Sequence, residues 1–145
     1  MKQRVRAILL TTAGTMLVIN RIRPGITPYQ VLVGGGVEPE DADLEAALLR
    51  EVCEEIAGEA ADLHPFCRLE NDKGEIEHFY TARIAEWNFE ERTGPEFARD
   101  DRGKYLLEEV PLTAEAIEAL NLMPPQIKDT LLDAIRAGSL AAPVV

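Results

Sequence analysis

The chain has 145 residues, close to the roughly 150 expected of one domain, and its 46% hydrophobic and 28% charged content is that of a globular protein, not a disordered one. With 26 Asp and Glu against 15 Lys and Arg, the formal net charge is -11. That sign excludes general attraction to nucleic acid or to an anionic membrane, and any anionic substrate needs a neutralising cation.

In chain order, Val5 to Leu10 and Thr15 to Ile19 are short apolar, β-branched runs joined by Thr12-Ala13-Gly14, which predicts a hairpin. Arg21 to Pro28 holds two prolines and a glycine and reads as a loop with cationic side chains. Tyr29 to Val33 predicts a strand running into Gly34-Gly35-Gly36, followed by an acidic stretch from Glu38 to Asp43. From there to Ile56 no proline or glycine occurs, and Ala, Leu and Glu dominate, so this is the strongest helix, with Gly58 as its stop. Leu63 to Leu69 and Ile76 to Ile84 predict strands around an Asn71-Asp72-Lys73-Gly74 turn. Glu86 to Gly103 is polar and irregular, a surface loop, and Lys104 to Val110 is a last strand. Thr113 caps a short helix through Leu120, and Pro125 opens a final helix with Ile127, Leu131 and Ile135 on one stripe and Gly138 as its end. Strands around a central helix, with helices at the end, predict a mixed α/β layer architecture in one domain over residues 1–145.

Cys53 and Cys67 make no disulfide framework and read as free thiols. No apolar run approaches a membrane span, and the N-terminus has too short an apolar run for a signal peptide, so a cytoplasmic protein is expected. The lone serine, Ser139, has no G-x-S-x-G setting, and no P-loop is present. Cys53, His64, Cys67 and His78 fit no usual zinc spacing, and Cys53 reads as helix core.

On the central helix, at about 100° per residue, Glu51, Glu54 and Glu55 fall within roughly one third of the circumference. Leu49, Val52, Cys53 and Ile56 cluster opposite, which predicts an apolar face on a sheet and a carboxylate face away from it. Leu44 and Leu48 do not fit that division. Three clustered carboxylates repel one another unless a cation compensates, and hard oxygen ligands suit Mg2+ or Mn2+. A glutamate-rich helix alone is ordinarily a solvated face. The triple glycine just before it lets backbone approach the helix closely and offers a carbonyl as a further ligand.

The stretch GGGVEPEDADLEAALLREVCEEIAG resembles the Nudix box of the MutT-like hydrolases, G-x5-E-x7-R-E-U-x-E-E-x-G-U with U aliphatic. Arg50, Glu51, Val52, Glu54 and Glu55 match the R-E-U-x-E-E core, and Gly35 matches the leading glycine. Asp41 stands where the pattern has glutamate, one residue is inserted before Arg50, and Ala57 stands in the glycine position with Gly58 one place late. The resemblance implies an α/β/α sandwich with the box helix packed on a mixed sheet. It also implies Mg2+-dependent (Mn2+ possible) hydrolysis of the pyrophosphate bond in a nucleoside diphosphate linked to another moiety. By position, Glu51, Glu54 and Glu55 are metal ligands, the Gly34 carbonyl is a further one, and Arg50 orients the glutamates. The general base varies in this family; Glu96 is the candidate outside the box, with Glu77 behind it.

Arg21 and Arg23 are candidates to hold phosphate oxygens, and Tyr29, Phe79 and Trp87 to stack a base, though aromatics are more often core. His78 reads as structural. The expected partner is a small nucleotide, with no nucleic acid and no membrane, in a monomer or homodimer. The competing reading is a catalytically weak or inactive module of the same fold that binds a nucleotide or a protein partner.

Overall fold

A computed structural model describes residues 2–91 and 104–140. Its strands are β1 (Gln3–Leu10), β2 (Thr15–Ile22), β3 (Tyr29–Gly36), β4 (Ala60–Glu70), β5 (Ile76–Ile84), β6 (Lys104–Pro111) and β7 (Leu122–Met123). Its helices are α1 (Leu44–Ile56), α2 (Ala114–Glu118) and α3 (Pro125–Arg136), with one 3-10 turn at Phe89–Glu91. The strands form one mixed sheet in the order β4-β5-β1-β2-β3-β7, with β6 on β2 and a further β1–β3 pairing. β1 runs parallel to β5 and antiparallel to β3.

Alternation along the strands divides the core into two layers. Val5, Ala7 and Leu9 of β1, Leu17 and Ile19 of β2, and Val33 of β3 pack with Leu48, Val52 and Ile56 of α1. Ile8, Leu10, Met16, Val18, Leu32 and Phe79 face the other way, onto Ile117 of α2 and Ile127 and Leu131 of α3. The result is the expected mixed α/β fold, helices on both faces of a sheet. Among the described residues no helix is long and apolar enough to cross a membrane.

The caps are as anticipated at Thr113, whose hydroxyl accepts from Ala116 N, and Pro125 starts α3. Asp43 caps α1 by accepting from Ala46 N. Several expectations are corrected. β2 continues through Arg21 to Ile22, so the cationic loop begins later than proline and glycine suggested, because β6 pairs with β2 as far as Ile22. β7, two residues long, was not foreseen; it exists only through its parallel pairing with β3.

The face of α1 is rotated from the expectation. Leu49 is 44% exposed and Cys53 is also exposed, whereas Glu51 and Glu55 keep only 8% and 7% of their surface. The buried stripe is Ala47, Leu48, Glu51, Val52, Glu55 and Ile56. The physical cause is β3: its glycines leave room between helix and sheet, and two carboxylates, not apolar side chains, occupy it. The helix also ends at Ala57, which takes the left-handed conformation (φ 51°, ψ 40°) and donates to Cys53 O. Gly58 comes after that turn, where a Cβ would lie 2.7 Å from Ile84 Cδ1.

Candidate active site

The site is built where β3 loses its side chains. A Cβ on Gly34 would strike the Val5 carbonyl of β1 and lie 2.8 Å from Arg6 Cα. A Cβ on Gly35 would lie 2.5 Å from Glu51 Cδ, in the space that the carboxylate fills. So Gly35 opens the α1 side of the strand, and Gly34 permits its close approach to β1. Gly34, Gly35, Gly36, Glu51 and Glu55 line one open cleft.

Arg50 ties the box together. Its Nε and Nη2 donate to Asp41 Oδ1 and Oδ2, both at 2.9 Å, and Nη2 also donates to Gly36 O at 3.0 Å. Its Nη1 donates to Glu51 Oε1 at 3.0 Å and Glu54 Oε2 at 3.2 Å, and Glu38 stands 3.8 Å away. The hydrogen bond from Arg50, then that from the Glu38 amide, pushes the Asp41 carboxyl down to about 2, and Asp41 in turn holds Arg50 protonated all the more firmly. The loop is closed by a tight turn, with Asp41 N donating to Glu38 O and Glu38 N to Asp41 Oδ2, and the extra residue follows that turn, between Asp41 and Arg50. Arg50 reaches its acid despite the altered spacing.

Glu54 contacts Arg50 but does not line the cleft, so the three box glutamates diverge, two inward and one outward. Among the described residues no three Asp, Glu, His or Cys side chains already converge on one point as a metal cage. The donor set nevertheless fits a hard divalent cation: carboxylate oxygens on adjacent turns of one helix, beside backbone that a glycine strand brings within reach. Arg50 meanwhile offsets the repulsion between Glu51 and Glu54.

Arg21, Arg23 and Tyr29 lie on the same cleft. The Arg21 guanidinium stacks 4.0 Å from the Tyr105 ring centroid and 5.9 Å from that of Tyr29, and its buried Nε has no hydrogen-bond partner among the described residues. Glu96 lies outside the described residues. Phe79 is buried and Trp87 is partly buried against the core, and neither lines the cleft. His78 is hydrogen-bonded to Gln3 Oε1 at 2.7 Å, as a structural histidine would be, and burial lowers its pKa.

Glu77, the general-base candidate behind Glu96, is 3% exposed. It accepts from Arg6 Nε at 3.1 Å and Asn71 Nδ2 at 3.0 Å. Its neighbour Glu75 accepts from Arg4 Nε at 3.1 Å and Asn71 Nδ2 at 3.0 Å, and these contacts, that of Asn71 foremost, hold its carboxyl below the usual range. Arg4, Arg6, Asn71 and Glu75 line the cleft and were missed. The signal was available as two alternating pairs of opposite charge, Arg4-x-Arg6 and Glu75-x-Glu77, each lining one face of a strand.

The NUDIX domain family model matches residues 1–124. The fold is shared with solved structures. The E. coli ORF135 protein is 23% identical with a TM-score of 0.62, covering 94% of this chain and 89% of that one. The MutT protein from Methanosarcina mazei Go1 is 18% identical with a TM-score of 0.63, covering 96% of each. The NUDIX domain of Shewanella oneidensis NrtR, solved in complex with ADP ribose, is 18% identical with a TM-score of 0.68, covering 95% of this chain and 88% of that one. No curated protein matches the chain by sequence. With the box helix, its arginine bridge and the glycine strand assembled in one place, the match identifies this chain as a member of the NUDIX hydrolase family.

Proposed function

We propose that the protein hydrolyses the pyrophosphate bond of a nucleoside diphosphate linked to another moiety, using Mg2+ or Mn2+. The observation that carries this reading is the pairing of Glu51 with Gly35. A helix carboxylate occupies space that a side chain on the strand would fill, at the edge of a cleft lined by Arg21 and Arg23. The ADP ribose complex of NrtR supports a small nucleotide ligand for this fold.

Glu51 and Glu55, which line the cleft, would hold the cation with the Gly34 carbonyl, and Glu54 would join them by turning in from Arg50. When bound, it neutralises pyrophosphate charge, makes a water more acidic and stabilises the leaving phosphate. The chain's own residues do the rest. Arg50 orients Glu51 and Glu54 through its fixed fork on Asp41. Arg21, preset by the tyrosines, and Arg23 hold phosphate oxygens. A glutamate of the box, or Glu96, takes the proton of the attacking water.

The test is a panel of nucleoside diphosphate derivatives with magnesium, with Glu51→Gln, Glu54→Gln and Glu55→Gln as controls. The expected result is turnover of at least one compound, reduced about a hundredfold or more in the variants, a loss of about 2.7 kcal/mol in transition-state stabilisation. Binding by calorimetry with no product in magnesium or manganese would replace the enzyme with a binding module.

A further inference from the structure

The cleft has a second wall that the box does not use. Arg4 and Arg6 lie on β1 directly opposite Gly36 and Gly34 of β3. With no side chain on those glycines, no β3 side chain at those two positions covers the guanidinium groups. On their other side, the parallel register with β5 sets Glu77 opposite Arg4, and Glu75 stands just before that strand. Arg4 and Arg6 each give Nε to a glutamate, and Arg6 Nη1 donates to Leu32 O at 3.1 Å. Among the described residues, both Nη groups of Arg4 and Nη2 of Arg6 have no hydrogen-bond acceptor. Asn71 bridges the two carboxylates. The Arg4 and Arg6 side chains keep 25% and 16% of their surface, so a ligand in the cleft can reach them.

Three properties decide what this wall binds. It mixes both signs closely: Arg4, Arg6, Lys73 and the adjacent Lys2 stand against Asp72, Glu75 and Glu77, so its carboxylates oppose a further phosphate where its cations would attract one. It contains no aromatic ring among the described residues, and so no platform on which a base would stack; Tyr29 and Tyr105 belong to the opposite wall with Arg21. It sets guanidinium donors beside carboxylate acceptors held by a shared amide. A hydroxyl is both donor and acceptor, so two neighbouring hydroxyls can satisfy one of each.

We propose that Arg4, Arg6, Glu75, Glu77 and Asn71 form a hydroxyl-binding wall that takes the polyhydroxylated sugar of a sugar-linked nucleoside diphosphate. The inference rests on the hydrolase reading and narrows it: the group carried on the diphosphate is a sugar, not a third phosphate, and cleavage of the pyrophosphate bond by water gives a nucleoside monophosphate and a sugar phosphate. The geometry places that sugar on the β1 and β5 side of the glycines, with the phosphates along the glycine run and the nucleoside towards Arg21 and Tyr29.

Matched pairs sharing a base test it: ADP-glucose against ATP, UDP-glucose against UTP, GDP-mannose against GTP. The readout is the ratio of kcat/KM within a pair. Wild type is expected to favour the sugar-linked member by about tenfold or more, the worth of one or two hydrogen bonds. The double substitution Arg4→Met with Glu75→Leu replaces an ion pair by apolar side chains, a change that ordinarily preserves folding; thermal unfolding confirms it. The ratio is expected to fall about tenfold in that variant. Preference of wild type for the triphosphate, or an unchanged ratio in the double variant, overturns the proposal. Absence of turnover on both members of every pair defeats the hydrolase reading instead. Calorimetric binding of the sugar nucleotides then decides: weaker binding to the double variant sustains the wall, and equal binding removes it.

Discussion

Arg50 and Asp41 meet as a two-pronged fork, Nε on Oδ1 and Nη2 on Oδ2, each at 2.9 Å, across the loop that carries the inserted residue. Aspartate, where the family pattern has glutamate, still meets the arginine, although one more residue separates the two than the pattern has. The Asp41 pKa falls from 3.8 to about 2. A carboxyl whose pKa is lower when folded adds stability that is complete above its unfolded value and is lost as pH falls through the folded one. Acid unfolding followed by circular dichroism should therefore show stability declining between about pH 4 and pH 2. Asp41→Asn should flatten that decline and lower kcat about tenfold to a hundredfold through the loosened Arg50. An unchanged acid profile would show that the fork contributes nothing to folding.

The helix end offers a paired test. Ala57 sits at φ 51°, where a Cβ is strained, so Ala57→Gly should stabilise the fold by about 0.5–1 kcal/mol and raise Tm by a few degrees. Gly58→Ala should do the reverse, because its Cβ would lie 2.7 Å from Ile84 Cδ1 and the core would have to shift, at about 1–3 kcal/mol. Thermal unfolding of the two variants should move in opposite directions.

Gly35→Ala addresses the site itself. The added Cβ would meet the Glu51 carboxylate and displace it. Displacements of about 1 Å at a reacting centre cost up to about a hundredfold. We expect kcat at saturating magnesium to drop by at least about tenfold, with a circular dichroism spectrum like that of wild type. Full activity in this variant would remove Glu51 from the site.

Charge gives a prediction with an unusual sign. Among the described residues five cations (Arg4, Arg6, Arg21, Arg23 and Lys73) and five carboxylates line the cleft, so it is balanced within a chain of net charge -11. The surrounding field repels an anionic substrate, and salt screens that field. At fixed saturating magnesium, kcat/KM should rise, by about twofold, between roughly 10 mM and 150 mM salt. A fall would mean that the cleft's own cations steer the substrate.

Much of the fold was legible because local signals agreed with tertiary ones. Thr113 and Pro125 mark helix starts by chemistry that operates within one turn, and the R-E-V-x-E-E run names its own helix. What escaped depended on partners distant in sequence. Leu49 and Cys53 look like core and Glu51 and Glu55 like surface until Gly35, on another element, leaves a polar space beside the helix. The Arg4–Glu75 and Arg6–Glu77 pairs each join residues 71 positions apart, through a parallel register that no local pattern announces. Asp41 still meets Arg50 at 2.9 Å despite the altered spacing, which residue count alone did not announce.

The glycine run on β3 has one further consequence. Its three positions face alternate sides of a strand, so they act as separate valves. A methyl at Gly35 would press on the helix carboxylate, while the nearest atom to one at Gly36 would be Lys2 Cε at 3.5 Å, on the β1 side. Position 35 thus sets the place of the Glu51 carboxylate and position 36 borders the opposite wall. A change at one position leaves the space governed by the other untouched.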